Sequence, residues 1–429
     1  MKFIRNRWLR GSSQVNFTAR EYTNFLHEEK NVCAKKWVIT FAKRKMSVVF
    51  DFDQNAFHAE TFHRLDTYSD NFAKIAGVKT DLLFGNPAAV VEPVISVIVP
   101  TFQRQESFCH AIDSVLSQQA TDIAWECLVM DNTPLDSRGM TPALKEVEKR
   151  GDYRVLYYHN QVNIGAGYNW NRGVELARGK WICFLHDDDV LCIDALQKIS
   201  VMLRNGRNAN KNLGYLNARR VDFRGNFGSR NSTEFGRYPQ ELLTRFGTLI
   251  CGHTGAGAPT CGTVILKKAY LEAGGINYDF GLSADAVLCY QIMKEYSVVN
   301  TNYVIGGYRW NENTTLSKKS LLELIETDDM LMTYVYGRNV ETRLWGKCFG
   351  GTISWRNIYR KRKIAQEYGV EVSKVDFQKA TAYEEPSRLR KSIFLGIYAL
   401  YRLWRLIDGW VWQLILEIIG GRGNGEKFG

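Results

Sequence analysis

The chain has 429 residues, 45% of them apolar and 24% charged, an ordinary globular composition with a length suited to two or three domains. Its net charge of +11 is concentrated at the ends, because residues 1–45 contribute +8, residues 355–405 contribute +7, and the remainder sums to −4. This distribution argues against a nucleic-acid partner bound through the centre. It indicates basic flanks that face an anionic surface, or solvated basic faces with no partner.

Residues 1–92 are predicted to be an N-terminal extension of unknown role. The first twenty residues contain no apolar run that could form a signal peptide or a membrane anchor, so we expect a cytoplasmic protein. Two short apolar runs at 36–42 and 46–53 predict a β-hairpin. Nine cysteines without a C-x-x-C pair indicate reduced thiols rather than disulfides or a zinc site.

From residue 93 the sequence alternates between apolar runs and helical stretches, which predicts an α/β fold with a mostly parallel sheet. The predicted strands are 94–100, 125–131, 153–159 and 181–185, and the predicted helices lie near 105–119, 142–150 and 165–178. Ligands of such sheets bind beyond the carboxyl ends of the strands. The polar residues there are Thr101 to Arg104, Asp131, Asn132, residues 160–167 and Asp187 to Asp189.

A second portion, roughly 213–320, is glycine-rich, with a predicted helix from Ala284 to Tyr296 and a strand at 297–304. We assign 93–320 to one domain. Residues 321–429 are predicted to form a mainly helical C-terminal region.

Three consecutive aspartates, Asp187 to Asp189, follow the fourth predicted strand. Adjacent negative charges are unfavourable unless a cation lies beside them. In an extended segment alternate side chains share a side, so Asp187 and Asp189 are predicted to bind a divalent metal, Mn²⁺ or Mg²⁺. The alternative is a solvated turn before a helix.

Five segments, in this order, resemble the large family-2 glycosyltransferases with the GT-A fold, and the resemblance covers about 94–320. The segments are ISVIVPTFQR (95–104), LVMDNT (128–133), NIGAGYNWNRGVELARGKWICFLHDDD (163–189), GGINYDFGLSADAVL (274–288) and YRWNENTTLS (308–317). The resemblance implies a GT-A fold, which is Rossmann-like with a mostly parallel central sheet and flanking helices. It also implies a nucleotide-sugar donor, with a UDP-sugar favoured.

The resemblance further implies a set of donor-binding residues. Within it, Asp131 contacts the nucleotide base and Arg309 belongs to a loop over the diphosphate. Asn163, Gly165 and Asn171 could equally serve as capping or turn residues. Trp170 stands where the family often has an arginine, and His186 is assigned no chemistry. The full donor-binding set is Pro100, Thr101, Arg104, Asp131, Asn163, Gly165, Asn171, Asp187, Asp188 and Arg309.

Asp285 matches the position of the family's catalytic base. Transfer with inversion requires a carboxylate that removes the proton of the acceptor hydroxyl while its oxygen attacks the anomeric carbon. An aspartate in a first helical turn after Ser283 is also favoured by the helix dipole alone. The family usually has an acidic neighbour where this chain has Ala284.

Residues 387–419 predict an amphipathic helix, because their charges lie on one side and a wide apolar face lies opposite. Too many charges interrupt the segment for it to span a membrane. With the basic run at 360–363, the pattern favours binding to the anionic inner face of the cell membrane, where a lipid-linked acceptor would lie. The alternative is a helix packed on its own domain or on a second subunit.

The sequence thus predicts an inverting glycosyltransferase acting on a lipid-linked or cell-surface glycan, as in bacterial polysaccharide assembly. A sugar nucleotidyltransferase is the first alternative, but residues 101–104 lack the glycine-rich loop expected to hold a triphosphate. A non-catalytic glycan-binding or scaffolding protein is the second, and the intact Asp187, Asp189 and Asp285 argue against it.

Overall fold

A computed structural model describes the protein over residues 65–119, 121–209, 212–223, 261, 263–309, 317–337, 340–373, 376, 385–401 and 403. The predicted hairpin at 36–53 and residues 404–419 of the predicted amphipathic helix lie outside these residues.

Within these ranges the strands form one nine-stranded sheet with the order β1-β4-β3-β2-β5-β8-β7-β9-β6. The four central strands, β4, β3, β2 and β5, run parallel to one another. The strands are Thr80–Phe84 (β1), Ile95–Thr101 (β2), Trp125–Asp131 (β3), Val155–Asn160 (β4), Trp181–Phe184 (β5), Val190–Leu191 (β6), Leu213–Phe223 (β7), Thr263–Leu266 (β8) and Ser297–Arg309 (β9). The prediction of four parallel strands between residues 94 and 185 is confirmed.

Helices cover both faces of this sheet. They are Glu106–Leu116 (α1), Pro142–Arg150 (α2), Ala166–Leu176 (α3), Ala195–Ala209 (α4), Lys267–Glu272 (α5), Ala284–Glu295 (α6), Lys318–Gly337 (α7) and Val340–Glu367 (α8). Short 3₁₀ segments lie at Ala73–Ile75, Pro87–Ala89 and Tyr278–Ser283. The predicted α/β class with a helical C-terminal region is therefore confirmed.

The sheet separates two apolar layers. Side chains of β2 alternate between them, so Val97 and Val99 pack in one layer and Ile98 in the other. The first layer receives α1, α2 and α4, and the second receives α3, α5 and α6. A strand buried on both faces must be apolar at nearly every position. This explains why the central strands are continuous apolar runs.

The described part of the predicted N-terminal extension is built into the same body. Strand β1 pairs antiparallel with β4, with Thr80 opposite Asn160. The Asn71 side chain donates to Gly274 O at 3.0 Å, and the Arg172 guanidinium of α3 donates to Val78 O at 3.0 Å. These contacts are made by residues on the N-terminal side of the domain boundary predicted at residue 92, which stays a prediction. Long-range backbone pairing, which has no sequence signature of its own, joins residues 65–92 to the sheet.

A buried carboxylate, Glu126 of β3, joins β2 to the start of β5. It is completely buried and accepts hydrogen bonds from Ser96 Oγ at 2.6 Å and from the Arg178 backbone N–H at 2.7 Å. The Arg178 guanidinium donates to its other oxygen, with Nε at 2.9 Å. These bonds hold the end of the α3–β5 connection against the sheet.

The Glu126→Ala variant is therefore expected to be less stable. Removing one partner of a buried ion pair costs about 3–5 kcal/mol, and we expect the lower end because the Arg178 side chain is 33% exposed and can bind water. Urea unfolding measures the change. The control is Glu148→Ala on α2, where an exposed glutamate should change stability by no more than about 0.5 kcal/mol. Equal effects of the two substitutions would contradict this role of Glu126.

In the C-terminal region α7 and α8 pack against each other, and a further helix over residues 388–401 packs on both. Phe394 and Tyr401 of that helix share an apolar cluster with Met332 and Tyr336 of α7 and Ile353 of α8. The first part of the predicted amphipathic helix thus contacts its own chain. Among the described helices, none combines the length and the continuous apolarity that crossing a bilayer requires.

Candidate active site

The central parallel strands end in polar residues at one edge of the sheet. The strand register places Thr101 of β2 beside Asp131 of β3, and Asp131 beside His159 of β4. On the other side of β2, strand β5 ends at Phe184 and leads into the three aspartates. The structure thus brings residues from the ends of four strands to one edge, as the topology predicted.

The aspartates form a tight turn, here called the aspartate turn (residues 186–189). Its backbone is closed by a hydrogen bond from Asp189 N–H to His186 O at 3.1 Å. Thr101 Oγ1 donates to Asp187 Oδ2 at 2.8 Å. Arg104 Nη1 lies 2.6 Å from Asp188 Oδ2 and 3.6 Å from Asp187 Oδ1. The end of β2 and the residues after it therefore hold the turn on one side.

Strand β9 holds the aspartate turn on the other side. Arg309, its last residue, donates its backbone N–H to Asp189 Oδ1 at 3.0 Å and its Nε to Asp188 O at 2.8 Å. Two arginine side chains, those of Arg104 and Arg309, thus contact the turn from different elements. Sequence separation is large in both cases, so only the fold assembles this group.

Burial in the aspartate turn is deep. Asp189 is completely buried and Asp187 is only 9% exposed. Burial raises the pKa of Asp187 to about 6, against the opposing effects of the Arg104 charge and the hydrogen bond from Thr101. Desolvated carboxylates of this kind are common where a protein binds a cation or performs chemistry.

Three side chains of the turn could together hold a metal ion. One ligand atom each of His186, Asp188 and Asp189 lie within 4.8 Å of one another, which is the candidate cluster among the described residues. An imidazole and two carboxylates are suitable ligands for a divalent cation. The residues therefore fit the implied metal.

This cluster differs from the predicted metal ligands, Asp187 and Asp189. The prediction assumed an extended segment in which alternate side chains share a side. Residues 187 and 188 instead form a turn, and the Asp187 carboxylate is directed to Thr101 and Arg104. His186, to which the sequence assigned no chemistry, directly precedes the aspartates, and metal binding by Asp187 and Asp189 stays a prediction.

Asp131, predicted to contact the nucleotide base, is completely buried. One carboxylate oxygen accepts from Thr133 N–H at 2.7 Å, and the other accepts from Thr141 Oγ1 at 2.9 Å and from the Tyr157 hydroxyl. Burial and the nearby charge of Asp131 raise the pKa of Tyr157. In this structure Asp131 anchors the loop after β3, and its contact with a base stays a prediction.

Other predicted donor-binding residues have structural roles here. The Asn171 amide is buried and bonds to both Ile276 N–H and Ile276 O, which ties α3 to the segment before α6. Asn163 Oδ1 accepts from Gly165 N–H, and Gly165, the N-cap residue just before α3, has a φ of +80° that favours glycine. Pro100 lies inside the buried strand β2. Their contacts with a donor stay predictions.

Asp285 lies in the first turn of α6 and is partly exposed. Its Oδ1 accepts from Ala286 N–H at 2.7 Å, and the Ser283 side chain makes no capping hydrogen bond to the helix. The 3₁₀ segment before α6 packs on the start of α3, where the Tyr278 and Tyr168 ring centroids are 5.8 Å apart. Asp285 thus stands on an element separate from the aspartate turn.

Comparison with known proteins gives the family. Residues 96–257 match the family model described as glycosyl transferase family 2. The chain is 26% identical over 246 residues to the UDP-Glc:alpha-D-GlcNAc-diphosphoundecaprenol beta-1,3-glucosyltransferase WfgD of Escherichia coli, which covers 56% of this chain and 87% of that protein. It is 35% identical over 115 residues to the GalNAc(5)-diNAcBac-PP-undecaprenol beta-1,3-glucosyltransferase of Campylobacter jejuni, covering 27% of this chain and 36% of that protein. Residues 96–257 therefore match the family-2 glycosyltransferases, the family that the sequence resemblance implied.

Solved structures show a more distant likeness. Staphylococcus aureus TarS in complex with UDP-GlcNAc matches with a TM-score of 0.45 and 14% identity over 67% of this chain and 79% of that chain. The mannosyltransferase PcManGT from Pyrobaculum calidifontis, in complex with GDP-Man and Mn²⁺, matches with a TM-score of 0.44 and 13% identity over 86% of this chain and 97% of that chain.

Proposed function

We propose that this glycosyltransferase moves a sugar from a nucleotide-sugar, with a UDP-sugar favoured, to a hydroxyl of a lipid-linked or cell-surface glycan, with inversion and with a divalent cation. The observation that carries the proposal is the aspartate turn at the carboxyl end of β5, which is contacted by Arg104 on one side and Arg309 on the other.

On the donor side, the turn offers carboxylates for a cation and two guanidinium groups for an anion. Arginine pairs with phosphate oxygens through its planar fork, so Arg104 and Arg309 are the residues proposed to bind the diphosphate. Thr101 fixes Asp187 beside them. A bound divalent cation would act as a Lewis acid toward the leaving diphosphate. The E. coli relative is named for a UDP-Glc donor, which supports UDP.

On the acceptor side, Asp285 is the proposed general base. It is partly exposed in the first turn of α6, where the helix dipole favours the ionised carboxylate. Attack of an acceptor hydroxyl on the anomeric carbon, from the side opposite the diphosphate, would transfer its proton to Asp285. The contact between Tyr278 and Tyr168 connects the segment carrying Asp285 to α3 on the donor side.

A lipid-linked acceptor is supported by the names of both relatives, which specify undecaprenol-bound acceptors. The helix over residues 388–401 presents a second, exposed apolar stripe besides the face that packs on α7 and α8. Arg388 and Arg390 are exposed at its start. We propose that this region associates peripherally with an anionic membrane, as its basic and apolar groups favour. The stripe consists of Leu389, Ile393 and Leu400, and Leu403, two residues after this range, is exposed as well.

Thermal unfolding with UDP, GDP and CDP, each with Mn²⁺ or with EDTA, tests the donor assignment. A ligand that binds only the native state at one hundred times its Kd stabilises it by about 2.7 kcal/mol, so UDP with Mn²⁺ should raise the Tm most. EDTA should remove the shift. An equal shift in EDTA would contradict the metal dependence. No shift with any of the three nucleotides would contradict the donor class.

A further inference from the structure

The aspartate turn contains one imidazole that the reaction described above does not use. His186 Nδ1 lies 3.9 Å from Asp189 Oδ2, and the side chain is 26% exposed. Together with Asp188 and Asp189 it forms the group of ligand atoms within 4.8 Å of one another. His186 thus lies among the carboxylates where the cation is proposed to bind.

An aromatic stack restricts the orientation of this imidazole. The Trp170 indole of α3 and the His186 ring have centroids 4.8 Å apart and are tilted by 45°. Trp170 also stacks on Phe184 of β5, with ring centroids 4.8 Å apart and an interplanar angle of 22°. Trp170 is itself nearly buried. Helix α3 fixes Trp170 and strand β5 fixes Phe184, so the imidazole is held beside the carboxylates before any ligand binds. This lowers the entropic cost of binding a ligand through the imidazole.

Building on the proposed metal-dependent function, we propose that His186 supplies a nitrogen ligand to the cation, alongside Asp188 and Asp189. This makes the centre selective for Mn²⁺ over Mg²⁺. Mg²⁺ takes oxygen ligands and gives up its waters reluctantly, whereas imidazole nitrogen is a ligand suited to transition metals. An all-carboxylate turn would lack this preference. Trp170 is a positioning residue, since it contacts the imidazole and none of the reacting groups in this scheme.

Two variants distinguish the role of the metal-binding nitrogen from the packing of the ring. His186→Phe keeps a ring for Trp170 to pack against and removes the ligand atom, while His186→Asp replaces nitrogen by oxygen. Loss of a second-sphere partner already costs about tenfold or more in metal affinity, so His186→Phe should weaken Mn²⁺ binding at least about tenfold. His186→Asp should retain binding of both ions, with a Mn²⁺ to Mg²⁺ affinity ratio lowered by a similar factor.

Binding is measured from the electron paramagnetic resonance signal of free Mn²⁺, with Mg²⁺ as a competitor. His110→Asn, which removes an exposed imidazole from α1, is the control for adventitious histidine binding and should leave both affinities unchanged. A wild-type Mn²⁺ affinity and a wild-type metal ratio in both His186 variants would overturn the inference.

Electron spin-echo envelope modulation of Mn²⁺ bound to the wild-type protein detects a nitrogen ligand directly. We expect coupling to a coordinated ¹⁴N nucleus, which disappears in His186→Asp. Bound Mn²⁺ that requires Asp189 but shows no nitrogen coupling would overturn the role of His186 and leave the proposed function intact. Failure of the wild-type protein to bind Mn²⁺ at all, with or without UDP, would overturn both.

Discussion

The Asp285→Asn variant is expected to lose transfer while it keeps its donor. General-base catalysis contributes about 10²–10⁴-fold to such reactions, so kcat should fall by that factor. The amide has nearly the size of the carboxylate and can still accept the hydrogen bond from Ala286 N–H, so α6 should begin as before. What is lost is the ability to take the acceptor proton.

Two measurements separate these effects. Calorimetric titration with UDP and Mn²⁺ should give wild-type affinity, while single-turnover transfer from the UDP-sugar should be slow. Asp279→Asn is the matched control, because Asp279 precedes the same helix but is exposed and paired with Lys74. It should transfer at close to the wild-type rate. A wild-type kcat in Asp285→Asn would remove this residue from the chemistry.

Unlike the Asp285 variant, a variant of Asp189 is expected to lose donor binding. Asp189 is completely buried in the aspartate turn, and Asp189→Asn keeps an oxygen that can accept from Arg309 N–H while it removes the charge. Changes to residues that only support a ligand cost about 10–100-fold in metal affinity. Loss of a carboxylate ligand itself should therefore weaken Mn²⁺ binding further. Nucleotide binding that depends on Mn²⁺ should be lost with it.

The measurement is the Tm shift produced by UDP with Mn²⁺, which should vanish in Asp189→Asn at ligand concentrations that saturate the wild-type protein. Asp194→Asn provides the comparison, since Asp194 lies five residues later and pairs with Lys198 at 2.8 Å. It should retain the shift. Undiminished nucleotide binding by Asp189→Asn in the presence of Mn²⁺ would show that the cation binds elsewhere or not at all.

Most of the central fold could be predicted because burial on two faces leaves a strong sequence pattern. Strand β3 matches its predicted range of 125–131, and α2 matches its predicted range of 142–150. Strand β1 escaped prediction because its residues are only partly buried or exposed, so no apolar run marks it. Its place in the sheet depends on backbone hydrogen bonds to β4, about 75 residues away in sequence.

The site shows the same division. Thr101, Arg104, Asp187 and Asp188 were predicted to lie together and are in contact, because they lie at or just after the ends of buried strands that could be predicted from the sequence. The sequence could not predict which aspartate contacts Thr101, Arg104 or Arg309. A tight turn and an extended segment direct side chains differently, and short polar sequences permit both.

The amino-acid sequence by itself determined the α/β class, the parallel strands, the family resemblance and the residues at the strand ends, because these depend on local apolar patterns and on motif order. Only the tertiary structure decided that Asp187 is held by Thr101, that Arg309 closes the other side of the turn, and that His186 rests against Trp170. Each of these contacts joins segments distant in the sequence or depends on the turn geometry. Their energies arise from packing and burial that exist only after folding.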